Sequence, residues 1–436
     1  MLEIRFILDN LQTVKDAARR KRIDVDVDRL ASLYERRKGL LQRVEAISAE
    51  KNRFGKSIGK LSPDEKQAAM ARMKEMTGEE ADLRKQIAEL DPEIEALHLL
   101  VPMPPAPEVP DGRDDTENVE LRRVGEIPKF DFAPKGHMEL AEALDIVDKE
   151  RAARIAGSRT YFLKGDGALL ELAVLRFAMD HMTAKGFVPM LPPVLVNDDA
   201  MRGTGYFPGG EAQAYRFPRD EDEKGQTSAG FLNLVGTAEV PLTAYHMGEI
   251  LDGAELPLYY AGWSNCFRRE AGAAGKDTAG LYRIHQFQKI EQVVIGPADE
   301  AVSIREHHHI TGNSEAILQA LKLPYRVVNV CTGDLGRGQV QKFDIETWMP
   351  SRNAYGETHS SSRFHDFQAR RLNLRYRDKD GKVRVCHTLN NTVIASPRIL
   401  IPILELYQNA DGSVTIPEVL RSYMGGRDRI VPRKRK

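Results

Sequence analysis

Arg268, Glu270, Phe287, Lys289 and Glu291 gather cations, carboxylates and an aromatic ring within one short stretch of the chain. A guanidinium can hold two anionic oxygens in one plane. A carboxylate can accept from an amino group, and a phenyl ring offers a face to a flat heterocycle. The flanking pattern tells which elements carry these groups. Leu258–Phe267 alternates and is rich in Tyr, Trp and Phe, as a strand should be. Ala271–Gly280 holds three glycines and no large apolar residue, which predicts a hairpin loop. Ile284–Ile295 then alternates again. A period of two puts Arg268 and Glu270 on one face of the first strand, and Phe287, Lys289 and Glu291 on one face of the second. At about 3.3 Å per residue, Phe287 and Glu291 stand about 13 Å apart. That span suits an acyl-adenylate, with base and acyl group at opposite ends.

The order F-R-R-E, loop, R-I-H-Q-F-Q-K-I-E (Phe267–Glu291) resembles motif 2 of class II aminoacyl-tRNA synthetases, in the form found in seryl-tRNA synthetases. T-L-N-N-T-V-I-A-S-P-R-I-L-I-P-I-L-E (Thr388–Glu405) resembles motif 3, where a short strand runs into a helix with an arginine, here Arg398, at its start. Many family members carry a Gly-rich form; this chain has the N-N-T-x-x-A-x-P-R variant. Pro397 is placed by this reading in the first helical turn. Leu169–Asn197, an apolar helical run followed by G-F-V-P-M-L-P-P-V-L-V-N, resembles motif 1, with Pro193 at the characteristic proline.

The resemblance implies an α+β fold: an N-terminal antiparallel two-helix coiled-coil arm, then a catalytic domain on an antiparallel β-sheet flanked by helices. It implies activation of L-serine by ATP and transfer to tRNA(Ser), with tRNA(Sec) as a second acceptor. Arg268 and Arg398 are the expected catalytic residues. The implied ATP site adds Arg269, Glu270, Arg283, Ile284, Phe287 and the segment Glu357, Thr358, His359 and Ser360. Glu357 and Ser360 are the expected Mg²⁺ ligands, with hard oxygen donors. The implied serine site comprises Thr237, Ala238, Glu239, Arg268, Glu291, Asn390 and Thr392. A homodimer with tRNA bound across its subunits also follows from the resemblance.

The first region has a different texture. Leu33, Leu40, Val44, Ile47, Phe54, Ile58 and Leu61 fall at steps of three and four, with Arg37 and Lys51 in the seam. Met73, Met76, Leu83, Ile87, Leu90, Ile94 and Leu97 continue the pattern, with Glu80 in the seam. Two heptad helices joined near Ser62–Asp64 predict a hairpin arm over residues 29–100. Each helix should run about 45–50 Å, with Pro92 bending the second. Arg36, Arg37, Arg43, Lys51, Arg53 and Lys56 are the expected tRNA contacts, since backbone phosphates require charge and reach. V-P-M-P-P-A-P-E-V-P (Val101–Pro110) reads as a stiff linker between domains 1–110 and 111–436.

A chain of 436 residues with formal charge −1 must bind nucleic acid through local patches. Three scattered cysteines predict reduced, buried thiols. The opening M-L-E-I-R-F-I-L-D-N lacks signal-peptide regions, and no run reaches membrane length, so a cytoplasmic protein is expected. His307–His309 face different ways on a helix, which argues against a metal cluster. Pro218–Gly230 reads as a solvated loop, and the basic end of the chain, R-D-R-I-V-P-R-K-R-K, as a disordered tail. Two rivals remain: a class II-like paralogue aminoacylating a carrier protein or small amine, and a coiled-coil binding protein with an inactive body.

Overall fold

The computed structural model describes residues 1–58, 62–218, 230–272 and 280–432. Lys60 and Leu61 of the arm, most of Ala271–Gly280 and of Pro218–Gly230, and the last four residues lie outside them. The chain divides into two compact units, Met1–Pro104 and Pro105–Lys436.

In the first unit, two short helices, α1 (Ile4–Asp9) and α2 (Leu11–Arg20), precede the long pair α3 (Val27–Ser57) and α4 (Pro63–Leu100). Each long helix starts on a side-chain cap. Asp26 accepts from the Arg29 N–H at 2.8 Å. Ser62 and Glu65 form a reciprocal capping box at the start of α4, an arrangement worth about 1 kcal/mol. Leu33, Val44 and Ile47 of α3 and Met76, Ile87, Leu90 and Ile94 of α4 are buried, as the heptads require. The seam cations find acidic partners on the facing helix. Lys51 meets Glu80 at 3.0 Å and Arg37 meets Asp91 at 2.5 Å. Such polar pairs fix register between helices that apolar packing alone would let slide. α4 runs unbroken through Pro92 for 38 residues, about 57 Å and longer than expected.

The second unit is organised by one sheet. Its strands are β1 (Val119–Val124), β2 (Val188–Met190), β3 (Leu258–Phe267), β4 (Gln286–Gly296), β5 (Tyr325–Asn329), β6 (Gln341–Met349), β7 (Ala354–His365) and β8 (His387–Ser396). They lie in the order β1-β5-β6-β7-β8-β4-β3-β2. Every pairing is antiparallel except β2 with β3. α5 (Asp166–Ala184), α6 (Glu300–Ala320) and α7 (Leu400–Leu406) complete the frame. Leu170, Val174 and Ala178 of α5 and Ile310 and Ile317 of α6 enter one core with Ile290, Val294, Leu389 and Val393 of the sheet.

α6 is also tied to the sheet by buried amides. Gln292 and Asn391 both donate to the Ile310 carbonyl, at 2.8 and 2.6 Å. His307 is buried within this layer and stacks on Phe343 with 4.4 Å between centroids. Cys266, Cys331 and Cys386 are free and buried.

Residues 105–110 are less a free linker than an edge of the second unit. The Ala106 N–H donates to the Val340 carbonyl at 2.9 Å, and Arg363 donates to the Glu108 carboxylate at 2.9 Å. The apolar residues interspersed among the prolines explain this: Ala106 and Val109 are buried.

Candidate active site

β3 and β4 pair antiparallel from Leu258↔Ile295 to Phe267↔Gln286, so the hairpin forms with the alternation that the sequence predicts. Ile290, Gln292 and Val294 turn toward the helices. Phe287, Lys289 and Glu291 turn the other way and line a cavity of about 270 Å³.

Arg268 and Glu270, however, stand past the end of β3. His285 secures this departure from both directions: its carbonyl accepts from the Arg268 N–H, and its Nδ1–H donates to the Arg268 carbonyl, each at 2.9 Å. Glu270 adopts a left-handed conformation with φ +52°. Its carboxylate still reaches the cavity, and Arg283 donates to it at 3.3 Å. The Arg268 guanidinium lies 5.4 Å from the Phe287 ring centroid, and its Nε donates to the Gly236 carbonyl at 3.4 Å.

Two pairing irregularities bring further groups onto this face. Between β6 and β7 the register steps from Ile345↔His359 to Glu346↔Glu357, leaving Thr358 as an extra residue. Residues three apart on a regular strand face opposite sides, and a bulge resets that phase. Glu357 and Ser360 therefore both line the cavity. His359 does not; it is buried, with Nδ1 2.8 Å from Thr358 Oγ1. Between β4 and β8 the extra residue is Val393. Asn390 and Thr392 reach the cavity before it, and Ala395 after it.

The cavity has two chemically distinct ends. At one, Lys289 and Glu291 form a buried ion pair. Thr237 donates to Glu291 at 3.2 Å, and Lys289 donates to Thr392 at 3.3 Å. Glu239 lies beside them, with Gln368 donating to it at 2.7 Å. Burial, reinforced by the charge of Glu291, pushes the Glu239 carboxyl up to about 7.

At the other end, Arg398 Nη1 donates to the Glu357 backbone carbonyl at 3.2 Å and lies 3.9 Å from its carboxylate. Burial works to raise the Glu357 pKa, but Arg398, Lys342 and Arg268 outweigh it and hold the group below the usual carboxylate range. Arg398 also covers the Tyr282 ring at 4.3 Å. It lies in the turn before α7, which begins at Leu400, so neither Arg398 nor Pro397 belongs to the helix. The main chain leaves β8 and turns before winding, which aims the guanidinium back over the sheet.

Thr237, Glu239, Ile284 and the groups named above thus meet around one cavity, while four expected members do not line it. Arg269 is held through its backbone N–H to the Gln213 carbonyl. Ala238 is buried behind Glu239 among Leu242 and Tyr260. Arg283 is drawn to Glu270 and lines a neighbouring cavity. His359 faces the other side of β7.

Sequence reasoning missed Tyr206, Gln339 and Lys342, which also line the cavity. Lys342 was legible in part: K-F-D alternates, and Asp344 meets its ammonium at 3.2 Å. Tyr206 sits in a turn between elements and carries no such signal.

The antiparallel sheet, with one arginine past its hairpin strand and a second in the turn after β8, defines the core of a class II aminoacyl-tRNA synthetase. Residues 225–407 match the tRNA synthetase class II core domain (G, H, P, S and T), and residues 1–105 match the seryl-tRNA synthetase N-terminal domain. A serine–tRNA ligase of Deinococcus radiodurans is 46% identical over 428 residues, 98% of either chain. The seryl-tRNA synthetase of Pyrococcus horikoshii, solved with ATP, superposes with a TM-score of 0.90 at 38% identity, covering 100% of both chains. The cytoplasmic serine–tRNA ligase of Naegleria fowleri, solved with AMP, gives 0.85 at 30% identity over 98% of this chain and 96% of that one. The chain belongs to the seryl-tRNA synthetase family, the ATP-dependent serine–tRNA ligases.

Proposed function

We infer that this cavity makes seryl-adenylate from L-serine and ATP and passes the seryl group to tRNA(Ser). The observation that carries this reading is the division of the cavity into a small polar end and a cationic, aromatic end. In the small end, Glu239 and Thr237 hold the serine ammonium, while Glu291, Thr392 and Asn390 surround its hydroxyl. In the large end, Phe287 and Ile284 carry the adenine ring and Glu270 accepts from its amino group. Arg268 spans the junction and binds the serine carboxylate and the α-phosphate together. Arg398 takes the outer phosphates, and Arg283 can join it by leaving Glu270.

A serine carboxylate oxygen attacks the α-phosphorus; the bond to the β-phosphate oxygen breaks, and pyrophosphate leaves. Alignment and charge neutralisation supply most of the catalysis in such a step. In the second step a hydroxyl of the terminal tRNA ribose attacks the seryl carbonyl. The ester bond forms as the anhydride bond breaks, and the proton leaves on the departing AMP. No side chain is required as base.

Among the described residues no three metal-binding side chains cluster, so a cation here would depend on substrate oxygens. Glu357 and Ser360 present hard donors to the cavity, and Asp344, paired across the strands with Ser360, has a buried oxygen with no hydrogen-bond partner among the described residues. That set fits Mg²⁺, which completes its shell with phosphates and water. Mg²⁺ would supply charge neutralisation on the phosphates.

The pH dependence follows from Glu239. Its carboxyl must be ionised to hold an ammonium, and in the free protein it titrates near 7. As pH falls from 8 to 6 the ionised fraction drops about tenfold, so KM for serine should rise about tenfold, with kcat nearly constant. Glu239→Gln should bind serine weakly at every pH and flatten the profile. A flat profile in the parent chain would contradict this assignment.

The arm is assigned to the tRNA backbone, with one refinement. Arg43 and Lys51 are engaged by Glu79 and Glu80, and Arg37 by Asp91, so Arg36 and Lys56, exposed on α3, carry most of the phosphate contact. Arg36→Glu with Lys56→Glu should weaken tRNA binding at least tenfold and lower its salt slope by about 2, leaving adenylate formation intact. Unchanged binding in a filter or fluorescence assay would remove the arm from recognition.

The same reading includes a homodimer, with tRNA bound across its subunits. Leu169 and Leu172 of α5 are 43% and 50% exposed, and Val188 and Leu191 are 52% and 84% exposed. These apolar side chains suit a subunit interface. tRNA(Sec) is an expected second acceptor wherever the host makes it, and a cytoplasmic location is expected; among the described residues no helix is long and apolar enough to cross a membrane.

A further inference from the structure

Near the end of α7, Glu405 turns inward and is 0% exposed. Its oxygens are fully engaged. The Ser351 Oγ–H and the His137 Nδ1–H each donate to it at 2.7 Å. The backbone N–H groups of Ser351 and His137 donate at 2.9 and 3.0 Å. Burial works to raise its pKa, but these donors outweigh burial and hold the group below the usual carboxylate range. A buried charge is costly to place, and neither Glu405 nor His137 lines the cavity. We propose that His137 and Glu405 are positioning residues that hold Arg398 over the phosphate end. This rests on the reading that Arg398 binds the outer phosphates of ATP.

The imidazole passes the constraint on. Its Nδ1–H is taken by Glu405, so Nε2 is the acceptor, and it receives the Leu281 N–H at 3.4 Å. Leu281 is itself buried with Met349 and with Ile401 of α7. Tyr282 follows directly and forms the platform of Arg398. Its carbonyl accepts from Arg398 Nε and Nη2 at 3.4 and 3.3 Å, and its ring lies 4.3 Å from that guanidinium. Its hydroxyl donates at 3.2 Å to the Glu357 carbonyl, the oxygen that Arg398 Nη1 also uses. Arg352, next to Ser351, covers the same ring at 4.5 Å.

These contacts close a circuit: from Arg398 along α7 to Glu405, across His137 to Leu281, and back through Tyr282. Arg398 needs it, because it lies in a turn that no helix or strand holds. A guanidinium ordered only when phosphates arrive loses binding energy to that ordering, whereas one already fixed does not. The imidazole is closely fitted. A Cβ on Gly280 would lie 2.7 Å from Nε2. Just past α7, Gln408 pins the approach to His137, accepting from the Lys135 N–H at 2.8 Å and donating to its carbonyl at 3.0 Å.

The test separates positioning from general support of the fold. His137→Asn keeps a donor for Glu405 and removes the acceptor for Leu281. It should raise the KM for ATP in serine-dependent exchange about tenfold, the scale seen when an orienting partner is removed from a binding group. The KM for serine, and single-turnover transfer from preformed seryl-adenylate to tRNA, should stay within about twofold of the parent, which also reports an intact fold. Gly280→Ala presses on the same imidazole from outside, removes no buried group, and should reproduce this split. Arg398→Ala should itself raise the KM for ATP. Added to it, neither substitution should cost more than about another twofold, since both act through that guanidinium. A full tenfold effect on top of Arg398→Ala would overturn the proposal. So would an unchanged KM for ATP in both single variants, or a loss spread equally over ATP, serine and transfer. An Arg398→Ala protein with an unaltered KM for ATP would overturn the Arg398 reading and the proposal together.

Discussion

Replacing Arg268 by alanine should lower the rate of serine-dependent ATP–pyrophosphate exchange by about 10³-fold, with the fold unchanged. The side chain is positioned by backbone pairing to His285 and by its own bond to the Gly236 carbonyl, so no rearrangement is needed before it binds anions. It stands between the serine end and the phosphate end, where charge concentrates as the carboxylate attacks. Removing one preorganised donor from such a position typically costs 10²–10³-fold, and in the proposed reaction Arg268 supplies donors to both reactants. Lysine at this position should recover little, because a point charge cannot span two oxygens in one plane. An Arg268→Ala protein with exchange within tenfold of the parent would take this residue out of the reaction.

Glu291→Ala should cost about 3–5 kcal/mol of stability in the second unit as well as serine activation. Lys289 and Glu291 are both buried, at 6% and 2% exposure, and Thr392 also receives a hydrogen bond from the ammonium. Removal of the carboxylate leaves a buried ammonium without its ion-pair partner, with Glu239, itself pushed toward neutrality by burial, as the carboxyl that remains nearby. Both tryptophans, Trp263 and Trp348, lie in the second unit, so fluorescence-monitored urea unfolding reports on it directly. Lys289→Met with Glu291→Leu should recover most of the lost stability, since a buried pair replaced by apolar side chains is often neutral. The double variant should still fail to activate serine. Stability and activity would thereby separate, and equal unfolding midpoints for the single variant and the parent would contradict the buried-pair account.

The alternation within β3 and β4 was legible because period two is a local property: each side chain's face along the paired strands follows from counting. The heptads of the arm were legible for the same reason, and the placement of Lys51, Arg37 and Glu80 in the seam anticipated polar positions that pair across it. What local patterns could not give was phase after an insertion. Thr358 and Val393 are extra residues relative to their partner strands, and only pairing reveals them. They decide that Glu357 and Ser360 share a face while His359 does not. The ends of elements were misplaced as well. Arg268 and Arg398 lie beyond a strand and before a helix, in turns whose paths depend on His285, Gly236 and Tyr282. Tyr206 and Gln213 were invisible in sequence because their roles arise from distant chain segments meeting. Pro92, expected to bend or loosen the second arm helix near its base, leaves α4 continuous from Pro63 to Leu100.

The central claim is that the two ends of one cavity take serine and ATP and join them. Serine-dependent ATP–pyrophosphate exchange, run beside alanine and threonine, tests it most directly. Alanine lacks the hydroxyl and forfeits its hydrogen bonds to the Glu291, Lys289 and Thr392 cluster, which favours serine by about 10⁴-fold or more. The account predicts robust exchange with serine and almost none with alanine. Equal exchange with alanine would contradict the polar pocket, and a folded protein with no exchange from any of the three amino acids would contradict the account as a whole.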